Sequence, residues 1–363
     1  MSGEIAGMRS TIFLLNLFNS PSMNEPHSFD QQFFDQRPSM RPTRSTWIKH
    51  ILLLGITFCT VTLAGTLYPF GPYQTLPDAD PQTLSEFFHL LISLPISYAA
   101  LIGDAIRSLF SEPGHLAHGL RFSISLLFIL ISHEMGHYIA CRIYKVDATL
   151  PFFLPTPPLI GPAGTFGAFI KILSPMPSRK AVFDIGVAGP IAGFIALIPI
   201  AIVGVATMEP ATSQQLASPD GLVFADPLFM KIVGWALGSD PAVSFGNAFY
   251  YAAWVGLLVT ALNLIPSGQL DGGHAVYAVF GERVHFWTGR LAFPVMAIFS
   301  ILGLYFFNSP SGFLIAIILG VMMRIKHPRP WDQTPLDAKR NVIAVLTLVI
   351  FVLCFVPFPI RIN

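Results

Sequence analysis

Residues 120–143 read LRFSISLLFILISHEMGHYIACRI, an apolar run with two histidines and a glutamate in its second half. About 20 apolar residues suffice to cross the hydrocarbon core of a bilayer, so the stretch reads as a transmembrane helix. Ionisable groups inside such a helix are costly unless they face a hydrated cavity and act there. The spacing Ser132-His133-Glu134-Met135-Gly136-His137 is a His-Glu-x-x-His motif. At about 3.6 residues per turn, His133 and His137 project from one helical face and can bind one zinc ion, with Glu134 beside them to polarise water. Ten histidines and seven glutamates among 363 residues would give this spacing by accident roughly 0.005 times per chain, so chance is a poor explanation.

The rest of the chain agrees with a membrane setting. Hydrophobic residues make up 53% and charged residues 11%, with a mean hydropathy of +0.62. Soluble chains run near 25% charged, so a water-soluble enzyme and a disordered protein are both excluded. A net charge of +1 gives no electrostatic footprint for nucleic acid. Cys59, Cys141 and Cys354 lie in or beside apolar runs without Cys-x-x-Cys spacing, which suggests buried thiols and neither a disulfide framework nor a thiolate zinc site.

Hydropathy predicts spans near 48–68, 120–143, 183–207, 247–266, 286–307, 311–325 and 341–361. Basic residues concentrate in 1–50, 141–181, 270–291 and 324–340, whereas 69–119 and 208–246 are mostly acidic. The positive-inside rule therefore places the first set on the cytoplasmic side. Segment 87–110, interrupted by Pro95 and carrying His89 and Asp104, then reads as a helix in or dipping into the outer interface. The expectation is an all-α polytopic membrane protein of about seven transmembrane helices, its N-terminus inside and its C-terminus outside. It divides into a disordered cytoplasmic tail (1–46), a first transmembrane helix plus interfacial segment (47–119), a catalytic transmembrane core (120–280) and C-terminal transmembrane helices (281–363).

Two imidazoles do not complete a catalytic zinc site, which usually has a third protein ligand and a position open to water. Residues 263–274 read NLIPSGQLDGGH and end the fourth span on the same side as His137. Pro266 and the glycines break the helix there, so the backbone can bring the Asp271 carboxylate toward the metal. His274 is the competing ligand, with an alternative role as an edge histidine hydrogen-bonded to backbone.

His133-Glu134-x-x-His137 paired with Asn263-x-x-Pro266-x-x-x-Leu270-Asp271-Gly272 resembles the site-2 protease family of intramembrane zinc metalloproteases. The resemblance covers roughly residues 120–280. It implies His133, His137 and Asp271 as ligands of one Zn2+ per chain, Glu134 as general base and Asn263 as a polar group near the substrate backbone. Gly189-Pro190-Ile191-Ala192-Gly193 resembles the family's Gly-Pro element, although generic helix packing explains Gly189 and Gly193 equally well. Segment 208–246 is too short for the PDZ domain that some members carry. Residues 147–173 contain five prolines and three glycines, and Thr165–Ile172 is β-prone. The stretch is either a cytoplasmic loop packed under the bundle or, as the resemblance implies, a small re-entrant β-loop whose edge pairs with an unwound substrate.

The function expected is cleavage of peptide bonds within or next to transmembrane segments of membrane-protein substrates, as in regulated intramembrane proteolysis. Its partners are the substrate and the lipid bilayer, with no nucleic acid. Rival readings are a membrane zinc protease trimming lipidated C-termini and a non-catalytic transporter or scaffold with a vestigial metal site. The lack of an Arg- and Ser-rich amphipathic presequence points to a bacterial plasma membrane, with the active site near the cytoplasmic side.

Overall fold

The computed structural model describes residues 42–73, 83–159, 161–211, 222–325 and 327–362; most of the expected N-terminal tail lies outside them. Ten helices dominate: α1 (Arg44–Thr66), α2 (Leu84–Ser111), α3 (Pro113–Ile143), α4 (Arg179–Ala206), α5 (Leu228–Leu237), α6 (Ala248–Asn263), α7 (Asp271–Phe280), α8 (Glu282–Phe307), α9 (Ser311–Met322) and α10 (Ala338–Cys354). Polar side chains set several starts. Thr43, Ser178, Asn247 and Asp337 accept the backbone N–H three residues on, so each helix begins where its unpaired amides find a partner.

By length and composition, five of these helices can cross a membrane: α1, α2, α3, α4 and α8. This differs from the seven spans predicted by hydropathy. Helices α6, α9 and α10 have 16, 12 and 17 residues; Pro266 and Pro357 stand just beyond the ends of α6 and α10, and Pro310 immediately precedes α9. Segment 87–110, expected as an interfacial helix, lies in a continuous helix of 28 residues, started by a capping box between Thr83 and Glu86 and running through Pro95. Asp104 pairs with Arg107 at 2.9 Å, which tempers the polarity that set this segment apart in the sequence. Few residues of α2 are buried, Ala105 and Ser108 among them, so it is a peripheral helix.

The core is built on α3, α4 and α6. Ile129, Phe194, Leu197, Tyr250, Ala253 and Leu257 form one buried cluster, and Phe122, Leu126, Leu130 and Trp254 join Val61 of α1 and Phe153 in a second. Helix α1 runs antiparallel to α3: Thr62 donates to the Ser123 hydroxyl at 2.8 Å, and His118 Nδ1 lies 2.9 Å from the Gly65 carbonyl.

Strand β1 (Phe152–Pro155) pairs antiparallel with β2 (Thr165–Phe169), which lies in the stretch read as β-prone. Phe152 pairs with Phe169, and Thr60 of α1 donates to the Gly164 carbonyl at 2.8 Å. Four other short strands form two more ladders: β3 (Glu209–Pro210) with β5 (Ser244–Phe245), and β4 (Leu222–Phe224) with β6 (Ile360–Ile362).

At the basic end of the bundle, Arg340 of α10 makes a two-pronged contact with Asp184 of α4, at 2.9 Å to Oδ1 and 2.6 Å to Oδ2. It also donates to the Tyr144 hydroxyl at 3.0 Å and pairs with Asp337, while Tyr144 donates to Asp184. The Arg340 and Asp184 side chains are only 23% and 25% exposed, so the group works at reduced screening. Arg340→Ala removes both prongs and leaves the Asp184 charge with only the Tyr144 hydroxyl of this group, an expected loss of about 1–3 kcal/mol. Thermal unfolding of the purified protein in detergent checks this, with Lys339→Ala as the exposed control expected to change nothing.

Candidate metal centre

Helix α3 carries His133, Glu134 and His137, all buried. Helix α7 begins at Asp271, which stands beside them because the chain turns sharply between Asn263 and Asp271. Gly268 adopts a left-handed φ of +54° in that turn, and a Cβ at Gly272 would lie 2.0 Å from the Leu264 carbonyl oxygen. Helix α7 is held at its far end by Arg179, whose Nε and Nη2 donate to the Ala278 and Val279 carbonyls at 2.6 and 3.0 Å. In the sequence Arg179 is one of the basic residues of 141–181 that set sidedness; the structure shows it capping the helix that bears Asp271.

Donor atoms of three residues converge. His133 Nε2 lies 3.2 Å from Asp271 Oδ2, His137 Nε2 lies 3.3 Å from Asp271 Oδ1, and the two Nε2 atoms are 3.2 Å apart. Ligands on a tetrahedral zinc at about 2.0–2.1 Å stand roughly 3.3 Å from one another, so these residues fit such an ion. Among the described residues, this is the one group of three histidine, cysteine or carboxylate side chains with that proximity. The backbone carbonyl of Ile185 lies 2.7 Å from His137 Nδ1; a carbonyl only accepts, so Nδ1 carries the proton and Nε2 keeps its lone pair.

Glu134 is buried beside the triangle, and the backbone of Ile170, the residue after β2, is placed to hydrogen-bond its carboxylate. Asn263, the last residue of α6, brings its amide nitrogen to 3.4 Å from His133 Nε2. His274, the competing ligand in the sequence, sits one turn beyond Asp271 and instead contacts His327, Nδ1 to Nε2 at 2.7 Å.

Glycines make the convergence possible. A Cβ at Gly189 of α4 would lie 2.1 Å from His137 Nε2, and one at Gly136 would lie 2.4 Å from the Ala188 carbonyl oxygen. The sequence alone leaves generic helix packing as an explanation for Gly189; its missing side chain is the space the His137 imidazole occupies. At Gly193 the crowding is milder, 3.1 Å to His133 Cβ.

The profile of Peptidase family M50 matches residues 121–304, just over half of the 363 residues. The chain belongs to that family. This is the site-2 protease family that the paired motifs resemble. Among curated proteins, the chain is similar to a probable zinc metalloprotease EGY1, chloroplastic, of Oryza sativa subsp. japonica: 29% identical over 244 residues, 66% of this chain and 40% of the relative. The Arabidopsis thaliana protein of the same name is 29% identical over 245 residues, 66% of this chain and 43% of its own length. A probable zinc metalloprotease EGY2, chloroplastic, of Oryza sativa subsp. indica is 26% identical over 274 residues, 74% and 48% of the two chains. The matched part of the chain spans less than half the length of these relatives.

The Gly189 contact separates site geometry from bulk packing. Gly189→Ala is expected to raise the zinc dissociation constant more than tenfold, because the methyl group takes the place of the His137 ring. Gly193→Ala, which asks only a few tenths of an ångström of His133, is expected to stay within a few-fold of wild type. Competitive zinc titration of the two purified variants reads the difference.

Proposed function

We propose that this M50 member is a zinc metalloendopeptidase that cleaves membrane-protein substrates within or beside their transmembrane segments. The observation that carries the proposal is the convergence of the His133 and His137 Nε2 atoms, 3.2 Å apart, with a separate Asp271 oxygen 3.2 or 3.3 Å from each, beside a buried Glu134. The zinc-metalloprotease names of the curated relatives support the choice of metal and reaction. When bound, zinc supplies Lewis acidity toward the scissile carbonyl. Glu134 is the general base: its carboxylate accepts a proton from the attacking water and passes it to the leaving amine. Asn263, at the rim of the triangle, donates through its amide to the substrate backbone.

A helical substrate presents its peptide bonds hydrogen-bonded and crowded, so it has to be extended before attack. The β1–β2 hairpin offers a template. Strand β2 leads directly into Ile170 at Glu134, and a segment added to its edge would bring a peptide bond toward the site. In this reading the hairpin re-enters the bilayer, since Thr60, in the second half of α1, holds it at Gly164.

Seven crossings fit the packing better than length alone suggests. The last turn of α1 meets the beginning of α3 through Gly65, Thr62 and Ser123, so both ends lie at one face whatever path α2 takes between them. The shorter α6, α9 and α10 then complete the traverse, tilted or locally thinning the bilayer. The regions proposed from sequence, a tail, a first helix with interfacial segment, a core over 120–280 and C-terminal helices, follow this path. The metal centre lies toward the end bearing Arg142, Lys145, Arg179, Lys180, Lys339 and Arg340, the side expected to face the cytoplasm or its organellar equivalent. The chloroplastic names of the relatives give no support to a bacterial plasma membrane, and the proposal extends only to an integral membrane location.

Glu134→Gln keeps the side-chain shape and removes the base. The variant is expected to bind zinc as wild type does and to cleave a membrane-embedded reporter at least a thousandfold more slowly. Undiminished cleavage would show that Glu134 is not the base, and wild-type protein without zinc would point to the scaffold reading.

A further inference from the structure

His274 and His327 lie 53 residues apart in sequence and share one hydrogen bond, Nδ1 to Nε2 at 2.7 Å. His327 Nδ1 in turn lies 2.7 Å from the Pro328 carbonyl oxygen. A carbonyl only accepts, so the His327 proton is on Nδ1 and its Nε2 carries the lone pair. The shared proton therefore belongs to His274 Nδ1, and both tautomers are fixed by a single backbone oxygen. Burial pushes the His327 imidazole down to about 3, which keeps the ring neutral and the assignment intact at physiological pH.

The same ring lies flat on Tyr277, with centroids 4.0 Å apart and planes 7° from parallel. His274 and Tyr277 are three residues apart on α7, so His327 grips this ten-residue helix at two positions on one face. From another side α4 grips it: a Cβ at Gly186 would lie 2.6 Å from His274 Cβ. Asp271 stands at the first position of α7, one turn before His274.

His327 belongs to a strap between α9 and α10, beyond the stretch that matches the family profile. The strap is itself anchored at the start of α4. Trp331 and Asp332 donate to the Met176 and Pro177 carbonyls at 3.3 and 3.1 Å, and Arg179 N–H donates to the Asp332 carbonyl at 2.8 Å. Helix α4 carries Ile185, whose carbonyl sets His137. The strap therefore ties the helix of Asp271 to the helix that orients His137.

We propose that His327 is a positioning residue for the metal centre: by receiving the His274 Nδ1 proton and stacking on Tyr277, it fixes where α7 presents Asp271 to the two imidazoles. The inference rests on His133, His137 and Asp271 being the metal ligands. Outer hydrogen bonds that hold a ligand typically change metal affinity by about 10–100-fold.

The test is zinc and cobalt titration of full-length protein in detergent, with kcat and KM on the reporter. Wild type with about one ion per chain, lost in Asp271→Ala, establishes the ligand reading first; failure at that stage overturns both. His327→Phe keeps a ring on Tyr277 but removes the acceptor. It is expected to weaken zinc by about tenfold or more, shift the cobalt absorption bands and lower kcat at unchanged KM. His327→Gln, which restores an acceptor, is expected to recover most of the affinity. His274→Leu approaches the bond from its other partner and should match His327→Phe, with no further loss when the two are combined. Wild-type zinc affinity and kcat in His327→Phe, equal impairment by phenylalanine and glutamine, or additive losses in the double variant would each overturn the inference.

Discussion

The structure turns on one convergence: a carboxylate from the start of α7 facing two imidazole nitrogens from α3 at 3.2 and 3.3 Å. Neutral imidazole nitrogens with free lone pairs repel a carboxylate and each other, so the arrangement is stable only with a proton or a cation among them. Each surrounding feature serves that approach. The Pro266 turn reverses the chain, Gly272 lets it pass under the Leu264 carbonyl, Arg179 closes the far end of α7, and Gly136 and Gly189 let α3 and α4 come close enough for His137 to fit between them. In a bilayer, where lipid tails are as apolar as core side chains, small residues and interhelical hydrogen bonds determine which helices touch. Here the same glycines set the helix contact and clear the space for the candidate metal ligand.

The elements that hold the site extend past its immediate residues. Arg340 grips Asp184, and the next residue, Ile185, supplies the carbonyl facing His137 Nδ1. The strap that carries His327 pairs with the first turn of the same helix. Helix α4 is thus the common reference. One side of it fits the His133 and His137 rings through Gly193 and Gly189, another seats α7 through Gly186, and its first turns are fixed by residues far along the chain. A displacement of α4 would move both sides of the triangle together, which conserves its geometry better than two independently held ligands would.

The site was more legible in the sequence than the fold. His133 and His137 are four residues apart on a helix, a local spacing whose spatial consequence is fixed by helical geometry alone. Asp271 was accessible because Pro266 and the glycines announce a chain reversal at the right end of α6. The span count was less legible: hydropathy averages over a window, whereas helix length is set by caps and prolines, and so α6, α9 and α10 emerge shorter than their apolar runs. Helix α2 was set apart by Pro95, His89 and Asp104, yet a proline is tolerated within a helix when neighbours satisfy the freed carbonyl, and Asp104 has Arg107 beside it. His327 gave no signal at all, because its meaning lies in a partner 53 residues away.

Two carboxylates, the buried Glu134 and the largely shielded Asp271, stand within one site, and in the proposed reaction their surroundings divide the work between them. Moving a carboxylate into a low-dielectric interior costs several kcal/mol even after relaxation. A divalent cation offsets two such charges at once, which a single imidazolium cannot. Asp271 turns one oxygen toward each imidazole, so both its oxygens point at the position a metal would take. Glu134 instead has the Ile170 backbone at the end of the β-hairpin as a neighbour. Asp271 lies between the candidate ligand imidazoles, while Glu134 stands beside the end of β2, where in the proposed reaction a substrate peptide bond would arrive. In the proposed reaction this difference assigns charge compensation to Asp271 and proton transfer to Glu134. It also explains why residues of the same chemical type cannot exchange places: Asp271, at the start of α7, turns an oxygen to each imidazole, whereas Glu134 shares α3 with them.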